Sequence, residues 1–374
     1  MVRAPNGLNV LEAVRALEPL IRADADKAEA ARRYPRRFIE AMAAAGIFRM
    51  LVPRAAGGDE LDPLTMLDVV EAVSRVDGSA GWLAMIGSGA GFITGFLSAE
   101  VGRAIFADPL GSLCGNLGAP SAYAEVVAGG YRVTGRWPFV SGCEHSTWLS
   151  GLAMVGDTPR IMVFPRVDGE IIDTWSVTGL RATGSHDVAV SDLFVPTERS
   201  FWWSDGPKHS GPLYVVRFML ITHAAHALGV ARAAIDALVQ LAEVKVPTRT
   251  SIVLKDRPLV QARVAQAEAL VQSARDFMWR TTAEAWDAAC AGREVDGRQR
   301  AILRLAMTQA VQASAQAVDL MWAAGGGSPI YTSSPLERCF RDIHVATQHA
   351  VVSALSWETI GKALFDPTLG AQLI

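Results

Sequence analysis

Apolar residues recur at intervals of three and four over roughly the first 112 residues, which is the spacing of amphipathic helices. The first predicted helix has one apolar face, made by Val10, Leu11, Val14, Leu17, Leu20 and Ile21. A second is predicted to begin at Pro35, since proline favours the first helical turn, and to end near Gly46. The side chains that it would bury are Phe38, Ile39 and Met42.

Two turn signals mark the helices that follow. Asp62 and Pro63 form a cap and a first-turn residue. The apolar stripe behind them is Leu64, Leu67, Val70 and Val73. Asp77-Gly78-Ser79 then predicts a break before another helix.

The period changes to two between residues 113 and 210. After the Gly129-Gly130 turn, an alternating pattern typical of a hairpin is made by Tyr131, Val133, Trp137 and Phe139. Further short alternating runs are separated by Gly, Asp and Pro. The pattern predicts a small β domain of sandwich or barrel type.

Helical periodicity returns from residue 211 to the end, in longer segments. One face carries Ile235, Leu238, Val239 and Ala242, and a second runs from Leu259 to Met278. Residues 297–323 form a third helix, whose many alanines allow the close packing of a four-helix bundle. The predicted fold class is mainly α with a central β domain, divided at 1–112, 113–210 and 211–374.

Composition narrows the function classes. Lys and Arg number 35 and Asp and Glu 38, so the charge pattern favours neither nucleic acid nor a membrane surface. The stretch Gly78–Ala99 is uncharged, but its glycines and hydroxyls suit buried helix and turn better than a membrane span. Four scattered cysteines argue against disulfides and zinc. We therefore expect a cytoplasmic protein without a metal site.

Common nucleotide and hydrolase motifs are absent: the sequence has no GxGxxG, GxxxxGK[ST], GxSxG or HExxH. His223 and His226 lie three apart on a predicted helix, which could place both imidazoles on one face. No carboxylate between Leu213 and His226 completes a ligand set. Polar residues lining a bundle or an interface are the favoured interpretation.

Two segments concentrate chemical groups. Residues 135–148 read GRWPFVSGCEHSTW, and their alternating aromatic and small polar residues suit either the wall of a flat conjugated ligand or a hairpin with one core face. Residues 325–349 contain a glycine run, the charged residues Arg338, Arg341 and Asp342, and His349. His349 is a candidate acid or base, although its position alone favours a structural histidine with satisfied hydrogen bonds.

These segments resemble the acyl-CoA dehydrogenase superfamily over nearly the whole chain. The matching stretches are AGIFRMLVPRAAGG (45–58), GRWPFVSG (135–142), VTGLRATGSHDV (177–188), HALGVARAAIDAL (226–238) and PLERCFRDIH (335–344). The resemblance implies an N-terminal helical domain, a β-barrel or sandwich, and a C-terminal four-helix bundle. DGSAGWLAM (77–85) and GRWPFVSGCEHSTW resemble most the reduced-flavin-dependent monooxygenases.

The dehydrogenase alternative lacks its base. Acyl-CoA dehydrogenation needs a carboxylate that removes the α-proton, and the resemblance places it either shortly after the Arg-Asp pair or in the helix before the ALG turn. This chain has His349 and Ala350 at the first place and no Asp or Glu at the second. Two alternatives remain: a flavin dehydrogenase or oxidase with an atypical base, and a non-catalytic or regulatory member whose cleft no longer binds flavin.

By resemblance, the protein is the oxygenase component of a two-component monooxygenase that uses FMNH2 or FADH2 and O2 through a C4a-hydroperoxyflavin. Ser141 would bond the flavin near N5, Trp137 and Phe139 would line its ring, and His349 would act as base or hydrogen-bond partner. Asn116 is assigned to the same cofactor, and Arg249 to the flavin phosphates from a neighbouring subunit.

The resemblance breaks at one place that bears on the substrate. Many hydroxylases of this branch carry a second histidine just after the GW pair, whereas residues 87–92 read GSGAGF. A substrate that needs no phenolate, such as an amine or a sulfur heterocycle, or a pocket that uses His145, becomes the expectation. The expected partners are a separate flavin reductase, O2, a small organic substrate and further copies of the chain in a homotetramer.

Overall fold

A computed structural model describes residues 5–118 and 121–374. Helices α1–α6 precede the sheet: Pro5–Ala16, Glu18–Ala31, Arg36–Ala44, Pro63–Val76, Gly78–Phe92 and Ala99–Ile105. By compactness the chain divides into two units. The first unit contains residues up to Met66, Leu83–Val177 and Arg181–Tyr214, and the second contains Leu67–Trp82, Thr178–Leu180 and Val215–Ile374.

The prediction of one helix across Val10–Ile21 is wrong. Helix α1 ends at Ala16, and α2 begins at Glu18 with Pro19 in its first turn. A proline has no N–H for the preceding turn, and its ring clashes with the carbonyl four residues earlier. The chain therefore restarts its helix although the apolar spacing continues.

The other N-terminal helices follow their sequence signals. Helix α3 buries Phe38, Ile39 and Met42. Asp62 caps α4, since its Oδ1 accepts the backbone N–H groups of Leu64 (3.1 Å) and Thr65 (3.0 Å). Asp77 does the same for α5 through Ala80 N–H, at 2.9 Å. The predicted break at Asp77-Gly78-Ser79 is confirmed.

The strands β1–β8 all lie within the predicted β region: Leu113–Asn116, Ala122–Val127, Gly130–Val140, Trp148–Val155, Thr158–Pro165, Glu170–Ile172, His186–Pro196 and Ser200–Phe201. They form one mixed sheet in the order β6-β7-β3-β2-β4-β5-β8, with β1 parallel to β4. The predicted hairpin is β2–β3, which turns at Gly129 with φ +79°. The sequence predicts a small β domain of barrel or sandwich type, and in the described residues this domain is one eight-stranded sheet.

The C-terminal region is helical, as predicted. Helices α7–α11 span Thr222–Val244, Pro258–Cys290, Gly297–Ala324, Pro335–Ala346 and Leu355–Phe365. Helices α7, α8 and α10 all pack against the alanine-rich α9. Val239 and Leu259 are exposed, because each lies one position, about 100° of helical rotation, from a buried neighbour. The three-domain boundaries at 112 and 210 stay a prediction.

One described segment, Phe218–Val244, is long and apolar enough to cross a membrane by length and composition alone. Of its most apolar window, 78% is buried inside the protein, as in the core helix of a folded domain. The uncharged stretch at Gly78–Ala99 is α5 followed by a short 3-10 helix, Ile93–Phe96.

Two of the matching stretches quoted above, 177–188 and 335–344, meet within the second unit. Leu180 N–H donates to Asp342 Oδ1 at 2.6 Å, and Arg341 donates to the Thr178 carbonyl at 2.5 Å. A Cβ on Gly179 would lie 2.3 Å from the Arg341 carbonyl oxygen, so only glycine allows this approach. Arg341 also pairs with Glu337. The charged residues of α10 therefore hold the 178–180 segment.

Close packing in the core of the sheet predicts that a larger residue at Gly151 lowers stability. A Cβ on Gly151 would lie 2.2 Å from Cε2 of the buried Trp137, so Gly151→Ala should lower the free energy of unfolding by about 1–3 kcal/mol through overpacking. Thermal unfolding is the measurement. Gly361→Ala is the control, because nothing lies within 4 Å of its Cβ position. Equal melting temperatures for the two variants would contradict the packing argument.

Candidate active-site residues

The end of β3 carries an irregularity that exposes an aromatic ring. The ladder between β3 and β7 shifts register between Trp137 and Val140. Phe139, between them, has φ +59°, and its side chain is 67% exposed. The strict alternation predicted through Phe139 is therefore wrong, because the bulge turns this residue out of the sheet. Trp175 meets the ring edge-on, with centroids 6.3 Å apart.

Ser141 follows at once and begins a chain of three hydroxyls. Its Oγ is 2.7 Å from Ser185 Oγ, which is 2.7 Å from Thr183 Oγ1. The N–H of Gly142 donates to the Thr183 carbonyl at 3.0 Å, which holds the two segments together. Each hydroxyl both donates and accepts, so the chain can reverse its direction to suit a group placed against Ser141.

A small cavity of about 20 Å³ adjoins this turn in the first unit. Its polar lining includes Ser141, Ser146 and His145. His145 donates one ring N–H to the backbone of Tyr34, while its buried Nε2 has no hydrogen-bond partner within residues 5–118 and 121–374. Burial lowers the pKa of His145. The structure thus brings Ser141 and His145 to one cavity.

Asn116 and Trp137 have structural contacts in the same unit. Asn116 donates from Nδ2 to the Pro138 carbonyl at 2.7 Å and accepts the Gly118 N–H at 2.9 Å, so it fixes the backbone just before Phe139. Trp137 is 1% exposed, and its Nε1 donates to the Leu152 carbonyl at 2.8 Å. It supports the sheet from within, and its assignment to the flavin wall stays a prediction.

The second unit contains His349 in an aromatic cluster. The ring of His349 lies 4.4 Å from that of His223 and 5.7 Å from that of Trp82, centroid to centroid. Trp82 also meets His223 (5.8 Å) and His226 (5.1 Å) edge-on. We call these four residues the imidazole cluster. Among the described residues, no three His, Cys, Asp or Glu groups are arranged to hold a metal ion.

Burial keeps the cluster uncharged. It lowers the pKa of His226 to about 4, and together with the nearby Arg304 it lowers the pKa of His349 to about 4. The pKa of His223 lies well below its usual value, through burial first and then the neighbouring His349. At neutral pH all three rings are neutral, so each has one N–H and one lone pair.

Arg249 lies apart from this cluster, on the loop after α7. Its side chain is exposed and its φ is +66°. The contact with flavin phosphates in a neighbouring subunit stays a prediction.

Sequence reasoning missed the roles of Trp82 and His223 beside His349. The i, i+3 spacing of His223 and His226 gave the only available signal, since it placed both on one helix face. Nothing in the sequence reveals that a residue more than 120 positions later packs against that face.

The chain matches two family models with this architecture. Residues 9–105 match the acyl-CoA dehydrogenase N-terminal domain, and residues 221–354 match the acyl-CoA dehydrogenase C-terminal domain. The protein therefore belongs to the acyl-CoA dehydrogenase superfamily, in its reduced-flavin-dependent monooxygenase branch.

Relatives and solved structures define the activity. An indole-3-acetate monooxygenase of Pseudomonas putida is 33% identical over 89% of this chain and 88% of its own. The oxygenase component of an FADH2-dependent resorcinol hydroxylase from Rhizobium sp. is 28% identical over 96% and 93%. The crystal structure of the 3-HSA hydroxylase from Rhodococcus sp. RHA1 superposes with a TM-score of 0.90 at 28% identity, covering 96% of each chain.

The chain is accordingly an oxidoreductase: the oxygenase component of a flavin-dependent monooxygenase, which uses reduced flavin supplied by a separate reductase. The monooxygenase prediction is confirmed over the dehydrogenase alternative.

The low pKa of His226 predicts how the stability of the fold depends on pH. The unfolded chain takes up this proton near pH 6.5 and the folded chain near pH 4, so stability should fall as the pH drops through that window. The buried ring contributes on the order of 3 kcal/mol to this fall. Denaturant unfolding of the wild type and of His226→Asn at several pH values measures it. The comparison is between the slopes of unfolding free energy against pH, so any pH-independent loss of stability caused by the substitution cancels. Equal slopes for the two proteins would refute the low pKa of His226.

Proposed function

We propose that this oxygenase holds FADH2 against Phe139 and Ser141 and adds one oxygen atom to a small aromatic or heterocyclic substrate bound at the imidazole cluster. The exposed Phe139 ring beside the Ser141 hydroxyl is the observation that carries the proposal. The preference for FAD over FMN, and for a ring substrate over an amine, is supported by the names of the resorcinol and indole-3-acetate enzymes.

The residues of the first unit fit a flavin. A flat conjugated ring stacks on an exposed aromatic face, and its edge requires hydrogen-bonding groups. Reduced flavin, when bound, reacts with O2 and supplies the oxygen atom for the substrate. Phe139 offers the face, and Ser141 offers a hydroxyl that can accept the N5 proton, because Ser185 and Thr183 can turn their own hydrogen bonds to match.

His349 acts on the substrate in this proposal. Its Nδ1 accepts the Val351 N–H at 3.3 Å, which places the ring proton on Nε2. A neutral imidazole in this tautomer donates a hydrogen bond from Nε2 and carries no charge that would need solvation. His349 can therefore orient an oxygen atom of the substrate, or donate to the oxygen being transferred, without opening the cluster to water.

Assembly and location extend the proposal. The family resemblance supports a homotetramer, for which sedimentation velocity is the direct measurement. Cys114 and Cys143 are buried and form no disulfide, which suits a reducing compartment such as the cytoplasm.

Ser141 should govern how long the reduced flavin survives contact with O2 before oxidised flavin returns. We expect Ser141→Ala to shorten the delay about tenfold or more, because a hydrogen bond to the flavin is lost in a water-poor site. Stopped-flow absorbance measures the delay. Ser146→Ala is the control, since Ser146 lines the same cavity and bonds Cys114 outside the hydroxyl chain. Equal delays in both variants would remove Ser141 from the site.

His349 should govern the fate of the oxygen rather than flavin binding. With His349→Ala, we expect product per flavin oxidised to fall about tenfold or more, with hydrogen peroxide released instead, and the affinity for FADH2 to stay within about twofold. Product chromatography, a peroxide assay and anaerobic flavin titration measure the three quantities. A variant that loses flavin affinity while its coupling stays intact would contradict this role.

A further inference from the structure

His223 has one ring nitrogen with a hydrogen bond to the backbone and one without a hydrogen-bond partner among the described residues. Its Nδ1 lies 2.9 Å from the Leu220 carbonyl oxygen. A carbonyl can only accept, so Nδ1 carries the proton and Nε2 carries the lone pair. The side chain is 6% exposed, and no hydrogen-bond donor from the described part of the chain reaches its buried Nε2.

A buried acceptor without a donor destabilises a fold, so such atoms are rare and need an explanation. Packing does not provide one for His223. The Leu220 contact already orients the ring, and its neighbours Trp82 and His349 contact it through their rings. An apolar side chain of similar size would fill the same space without an unsatisfied atom. A ligand that supplies the missing donor removes the penalty.

The neighbouring His349 has the opposite tautomer. Its Nδ1 accepts the Val351 N–H, so its Nε2 carries a proton. The two rings lie 4.4 Å apart, between centroids. Together they offer one acceptor nitrogen and one donor nitrogen at neighbouring positions, an arrangement that suits a ligand with a donor group.

Burial and the groups around His223 keep its Nε2 available as an acceptor. Burial is the main cause of the low pKa of His223, and the rings of His349 and of His226 on α7, followed by Arg304 on α9, lower it further. The pKa of Arg304 is itself lowered to about 10, by burial and by the charge of Arg217, which lies just before α7. A proton on His223 would be buried and would face the positive Arg304, so its Nε2 remains a lone pair at neutral pH.

We propose that His223 Nε2 accepts a hydrogen bond from an N–H or O–H group of the substrate, and that this selects neutral aromatic rings bearing such a donor. The inference rests on the proposed function and names the substrate class of that site. As oxygen adds to such a ring, its N–H or O–H becomes more acidic, and the hydrogen bond to His223 strengthens. The residue would thereby favour the reacting state as well as binding.

Two substitutions separate the acceptor from the structural contact. In His223→Gln, the amide extends to the position of Nε2 and can accept, while the bond to Leu220 is lost. In His223→Asn, the shorter amide can keep the bond to Leu220, while nothing remains at the position of Nε2. If His223 serves only to bond Leu220, His223→Asn should behave more like the wild type than His223→Gln. If His223 accepts a hydrogen bond from the substrate, His223→Gln should behave more like the wild type.

Isothermal titration of the protein loaded anaerobically with FADH2 tests this with two pairs of probes. Each pair contains a donor and its methylated analogue: indole-3-acetate with 1-methylindole-3-acetate, and resorcinol with 1,3-dimethoxybenzene. We expect the wild type to bind the donor of at least one pair about tenfold more tightly, which is the effect of one buried hydrogen bond. His223→Gln should keep most of this preference, and His223→Asn should lose it.

Three results would overturn the proposal: a wild type that binds neither donor or shows no preference, a preference that survives in His223→Asn, or equal losses in both variants. The flavin reoxidation delay is measured without substrate, so it tests the proposed function separately from the His223 inference. A delay that is present while the preference is absent refutes the His223 inference alone, and an absent delay refutes the proposed function itself.

Discussion

Desolvation of three imidazoles is the constraint on which the second unit depends. His223, His226 and His349 surround Trp82, and burial lowers the pKa of each. Their neutrality fixes the tautomers, because each ring has one proton to place and the backbone groups of Leu220, Gly78 and Val351 decide where it goes. A donor at His349 and an acceptor at His223 follow from these backbone contacts alone.

In the first unit, the corresponding constraint is the exposure of an aromatic ring at the end of a sheet strand. The bulge at Phe139 turns one residue out, while Trp137 and Val140 on either side stay in the core. Asn116 fixes the carbonyl of Pro138, and Gly142 anchors the other side to Thr183. A positive φ at a phenylalanine is strained, and these hydrogen bonds hold it.

The sequence predicts the architecture well and the site only in part. Caps such as Asp62, the hairpin at Gly129 and the alanine-rich α9 have local signals, so their positions could be predicted. Pro19 is also a local signal for the break between α1 and α2, but the apolar spacing continues across it and favoured one helix. Resemblance supplied the monooxygenase branch. The bulge at Phe139 and the pairing of His223 with His349 depend on tertiary contacts, which periodicity does not encode.

The reaction of the reduced wild-type protein with oxygen tests the central claim most directly. The protein is mixed anaerobically with FADH2 or with FMNH2, then with oxygenated buffer in a stopped-flow instrument, and the return of oxidised-flavin absorbance is followed. The account predicts a marked delay with FADH2 relative to free flavin, and a shorter one with FMNH2. Reoxidation as fast as that of free flavin with both cofactors would contradict it.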